Sequence, residues 1–149
     1  MKKYIILELI PTASTKEKGD IIQLSALKLE DLNLLDRFDY RLVDEKIPLT
    51  ELKEMISYDK ENFIYKNETE EILEEFKKWS EDLPLLILNN SYTLDYLKEL
   101  NNKKEDISDY VKIPFSDDII DKIIEKYNLQ PSNYIVDLLY EALIYESNN

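Results

Sequence analysis

The chain has 149 residues, 44% of them hydrophobic, which suits one domain with a real core. Its 32 acidic against 19 basic residues leave a formal charge of -13, a field that repels nucleic-acid phosphates, anionic lipids and acidic substrates. It has no cysteine and no histidine, so disulfides, thiol nucleophiles, imidazole catalysis and zinc sites are excluded, and a bound metal would be a hard one (Mg, Mn or Ca) held by carboxylates and carbonyls.

The opening stretch, MKKYIILELIPTAS, has the lysines of a secretion signal. Its apolar run of about seven residues is interrupted by Glu8, which is too short for such a signal. Residues 4 to 10 instead read as a buried, β-branched strand carrying one carboxylate. After the loop PTASTKEKG, the stretch DIIQLSALKLED alternates in part, with Ile22, Leu24, Ala26 and Lys28 on one side and Ile21, Gln23, Ser25, Leu27 and Leu29 on the other. It predicts a second strand. A turn at EDLN leads to LDRFDYRLV, where Phe38, Tyr40 and Leu42 alternate with Asp39 and Arg41. This reads as a half-exposed edge strand, so the three strands form an antiparallel meander. Arg37 and Arg41 are the only arginines, which leaves little bidentate phosphate recognition.

From Pro48 the period becomes helical. PLTELKEMISY predicts a short helix, and NETEEILEEFKKWSED a longer one capped by Asn67, with Ile72, Leu73, Phe76 and Trp79 on its inner face. LPLLIL, from Leu83, is a short apolar run that suits a central strand and cannot span a bilayer. SYTLDYLKELNN predicts a helix, KKEDISDYVKIPF an irregular stretch or short strand, SDDIIDKIIEKYN a helix capped by Ser116, and PSNYIVDLLYEALIYES a last helix. The order βββ, α, β, α, (β), α, α predicts an α/β domain with a mixed sheet and helices packed on it. No repeat, linker or low-complexity tract interrupts it, so residues 1–149 are expected to form a single domain in the cytoplasm, without a membrane span.

The order and spacing of four segments resemble the DEDD-type 3'-5' exonuclease family, of the proofreading-subunit-like kind with a ribonuclease H-like fold. In LELIPT, Glu8 falls where the family keeps the Asp of an Asp-x-Glu pair, and Ile10 falls on the Glu position. GDIIQLSALKL, from Gly19, matches the second strand. In LILNNSYTLDYLKEL, Asn90 matches the asparagine, Leu94 stands at the expected Asp, and Asp95 lies one step beyond. PSNYIVDLLYEAL supplies Asp137 as the final Asp, with Ser132 and Asn133 at the two alternative positions of the general base and Tyr134 as a conceivable stand-in.

The resemblance implies a ribonuclease H-like mixed sheet, an antiparallel three-strand meander plus a parallel strand, flanked by helices. It also implies a site drawn from Glu8, Asp95 and Asp137, with Glu8 and Asp137 as the ligands of any Mg or Mn. Two-metal phosphodiester hydrolysis needs several carboxylates around cations about 4 Å apart. Ile10 offers no oxygen in place of the second acid, and no imidazole is available as base. The expectation is therefore a degenerate, catalytically inactive exonuclease-like domain that needs no cofactor and acts on a protein partner. A weak Mg- or Mn-dependent 3'-5' exonuclease is the first alternative, and an acidic nucleic-acid mimic that blocks a nucleic-acid-binding protein is the second. From the residues alone, Glu8 could equally be a strand residue at the sheet's end or exposed side, Asp95 a surface helix residue, and Asp137 part of a solvated stripe with Asn133 and Glu141.

Overall fold

The computed structural model describes residues 2–42, 64–66, 69–88, 91–114, 116, 118–131 and 135–148. The helix expected at PLTELKEMISY, the cap Asn67 and the motif positions Asn90, Ser132, Asn133 and Tyr134 lie outside them.

The first three strands are long and close into the expected meander: β1 (Lys3–Pro11), β2 (Ile21–Glu30) and β3 (Asn33–Leu42), paired antiparallel in sequence order. β4 (Ile64–Lys66) joins β3 in parallel through Tyr40, Arg41 and Leu42, so the end of β3 that was expected at the edge is covered by a strand the sequence pattern did not reveal. β5 (Leu85–Ile87), fully buried, runs parallel to β1, and β6 (Lys104–Asp106) runs parallel to β5. The six-stranded order is β4-β3-β2-β1-β5-β6.

Helices cover both faces. α1 (Thr69–Ser80) buries Thr69, Ile72, Leu73, Phe76 and Ser80, the i, i+3, i+4, i+7 stripe of an amphipathic helix. Glutamates in its first turn and lysines in its last suit the helix dipole. α2 (Ser91–Tyr96) is half the expected length; the stretch read as irregular or a short strand supplies β6 and then α3 (Ile107–Val111), capped by the Asp106 side chain accepting the Ser108 N–H. α4 (Ile119–Tyr127) starts two residues later than a Ser116 cap would set; Asp118 holds the cap position, and the Ser116 hydroxyl donates to its carboxylate at 2.7 Å. Asn128, in the left-handed region, closes α4 by donating its N–H to Ile124 and Glu125 carbonyls. α5 (Ile135–Ser147) is the last helix. Among the described residues no helix is long and apolar enough to cross a membrane.

Alternation along β1 divides the core. Ile5, Leu7 and Leu9 pack with Leu24, Ala26 and Phe38 against α1, α2 and the residues after α2. Tyr4 and Ile6 pack with Leu27 and Leu29 against α3, α4 and α5. Glu8 stands on this second face, two residues beyond Ile6.

Candidate active site

Register places Glu8 of β1 opposite Ser25 of β2, and Ser25 opposite Asp39 of β3, so a polar row crosses three strands under the start of α5. Ile10 faces Gln23 one step further along, and Arg37 lies one step back, opposite Leu27. Alternate strand residues share a face, so Arg37 and Asp39 project toward the same helix as Glu8.

Glu8 is 7% exposed, and is therefore not the exposed-side strand residue that the sequence allowed. The Val136 N–H, in the first turn of α5, donates to Glu8 Oε1 at 3.4 Å, and the Ile135 N–H adds a second favourable contact. A helix N-terminus favours an anion there. Burial outweighs it: desolvation, with smaller help from the charges of Asp39 and Asp137, pushes the Glu8 carboxyl from 4.5 up to about 8. Tyr92, packed against the core on the other face of β1, has its phenol raised by burial and then by the Glu8 charge.

Asp137 is not simply part of a solvated stripe. Arg37 Nη1 and Nη2 donate to its two oxygens at 2.9 and 3.4 Å, while Arg37 Nε donates to Asp39 Oδ2 at 2.6 Å. The guanidinium thus ties β3 to α5 through the Asp137 carboxylate, while Asp39 on its own strand holds it in place. Burial disfavours its charge, but the bonds from Asp137 and Asp39 outweigh that and raise its pKa. Two acceptors in this region remain buried without a hydrogen bond, Asp39 Oδ1 and Gln23 Oε1, although the Gln23 amide donates to Ser25 Oγ at 2.9 Å.

Glu8 and Asp137 therefore meet at one corner, while Asp95 is engaged elsewhere. Its carboxylate accepts the Lys16 backbone N–H at 2.7 Å and pairs with Lys98 at 3.6 Å, fastening the β1–β2 loop to α2. The Tyr96 hydroxyl donates to the Ala13 carbonyl beside it. Gly19 is required at this contact, because a Cβ there would lie 2.5 Å from the Tyr96 hydroxyl and 2.6 Å from Ala13 Cβ. Leu94, at the family's Asp position, is exposed.

Arg37 and Asp39 are the residues that the sequence reading missed. The signal was present in DRFDYR, where Arg37, Asp39 and Arg41 share one strand face opposite Phe38 and Tyr40. The donor set does not fit a two-metal centre: Glu8 is buried against the first turn of α5, Asp39 and Asp137 share a guanidinium, and Ile10 contributes no oxygen. Among the described residues no three Asp or Glu side chains form a group that could hold a metal ion.

No family model and no curated relative matches the chain. Solved structures do. A product-bound structure of exonuclease I matches with TM-score 0.62 and 11% identity over 99% of this chain and 43% of that one. A full-length 3'-exonuclease matches with TM-score 0.63 and 13% identity over 98% and 80%. The zinc-bound complex of Escherichia coli exonuclease I with single-stranded DNA matches with TM-score 0.61 and 10% identity over 100% and 41%. The chain thus spans less than half the length of the exonuclease I structures it matches. At these identities the likeness is one of fold, and the chain has the α/β, ribonuclease H-like fold of 3'-5' exonucleases, with a mixed sheet between helices.

Proposed function

We propose that this chain is an exonuclease-fold domain that hydrolyses no nucleic acid and works by binding another protein. The observation that carries the first half is the Arg37 guanidinium bonded at once to Asp39 and Asp137. Carboxylates that are to hold catalytic cations need free oxygens converging on one point. Here the chain's own guanidinium bonds both Asp137 oxygens and one Asp39 oxygen, and the remaining acid, Glu8, is buried against the first turn of α5. The corner therefore fastens a helix to a sheet. A charge of -13 supports the second half, because it repels phosphates and draws a basic protein surface. Leu34 and Leu35, at 47% and 46% exposure beside the β2–β3 turn, give such a partner apolar surface to cover.

The test is incubation of labelled single-stranded DNA and RNA with the protein in Mg and in Mn. The expected result is no shortening of either strand and no rise in Tm on adding Mn. Metal-dependent shortening that disappears in Asp137→Ala would overturn this reading in favour of a weak exonuclease.

A further inference from the structure

Four residues before Glu8, at the other end of β1, lies a cavity of about 340 Å³. Leu32, Leu86 and Leu143 give it an apolar lining, and Leu86 and Leu143 belong to the core beneath. Tyr4 and Tyr110 line it as well, and the Lys2 ammonium lies 5.6 Å and 5.3 Å from their ring centroids. Its Nζ also donates to the Tyr110 hydroxyl at 3.4 Å, while the Lys2 backbone N–H donates to the Asp31 carboxylate at 3.1 Å and fixes the start of the strand. The Tyr4 hydroxyl donates to the Asp31 carbonyl, so that ring is held in place.

Aromatic faces carry the negative part of the ring quadrupole, and two of them within reach of one point form a seat for an organic cation. The chain's own ammonium already sits there. Glu146 adds a carboxylate to the lining, although Lys112, Lys126 and the Tyr127 hydroxyl share its oxygens at 3.5, 3.4 and 2.6 Å. Charge close by is thus mixed, and the two ring faces together with the acidic molecule decide the sign. The volume is near the lower end of the range for ligand pockets, about 300 to 1,000 Å³.

We propose that this cavity binds a small organic cation with an apolar body, and that the Lys2 ammonium is its built-in competitor. The experiment is calorimetric titration of the full chain with benzyltrimethylammonium as probe and benzoate as its anionic counterpart. Saturable binding of the cation is expected, tightened about threefold in Lys2→Ala, which removes the exposed competing ammonium from both rings, and weakened about fivefold in Tyr110→Leu, checked for folding by circular dichroism. The proposal is overturned if the cation does not saturate, if benzoate binds more tightly, or if Lys2→Ala weakens the cation.

Discussion

The two faces of β1 lie one residue apart in sequence and hold their helices by different means. On one, Ile5, Leu7 and Leu9 meet α1 through apolar atoms, with an aromatic cluster in which Phe38 lies 5.2 Å from both Phe76 and Trp79. The other begins the same way, with Tyr4 and Ile6, then turns polar at Glu8 and holds α5 through carboxylates, a guanidinium and two backbone N–H groups. The apolar face gains free energy mainly in proportion to the area it removes from water, with polar contacts at the ends of α1, where Thr69 accepts the Ile21 N–H and the Trp79 carbonyl accepts the Lys28 ammonium. The polar corner fixes where α5 begins at the expense of desolvating its charges, so it responds to pH and to loss of a single partner.

Titration separates the faces most strongly. The buried Glu8 carboxyl, at about 8 instead of 4.5, keeps a proton that the unfolded chain loses between those values. Its contribution to stability is complete below pH 4.5 and is lost as pH rises through 8. At about 1.4 kcal/mol per pH unit, wild type should lose on the order of 4 kcal/mol relative to Glu8→Gln between pH 5 and 9, read from urea unfolding at both. Parallel losses in the two proteins would mean that Glu8 is not buried as described.

Phe76→Ala, on the apolar face, should cost about 4 kcal/mol through transfer and cavity terms. The cost should be the same at pH 5 and pH 9; a pH-dependent cost would blur the distinction between the faces. Arg37→Met sharpens the comparison from the polar side. It keeps much of the side-chain volume but leaves Asp39, whose side chain is 8% exposed, without its cation. The Arg37 side chain is 33% exposed, so the loss should fall between those of surface and buried pairs, at about 2 kcal/mol by urea unfolding at pH 7.

Much of this could be read along the chain. The β-branched runs of β1 and β2 and the stripe Ile72, Leu73, Phe76 carry their periods locally, and Glu8 stood out as one carboxylate in an apolar strand. What was not legible depends on pairing between distant segments. Arg37 and Asp39 looked like the solvent side of an edge strand because Asp137, the partner of Arg37, lies 100 positions away in sequence and β4 comes from beyond residue 60. Asp95 was placed at the candidate site by spacing alone, and its attachment to the Lys16 N–H depends on how the β1–β2 loop folds back over α2. Ser116 lost the cap position to Asp118 because both are good capping residues, and spacing two apart does not choose between them.

The bond from the Val136 N–H to Glu8 spans 128 positions, and this bears on synthesis at the ribosome. β1, β2 and β3 are made well before α5, which joins α3 and α4 in covering Tyr4, Ile6, Leu27 and Leu29. Until then that side of the meander lacks part of its cover, and the Glu8 carboxyl ionises into water as an ordinary side chain does. Closure of this corner must wait for a contact 128 positions along the chain, so its loop entropy is lost before the contact rewards it.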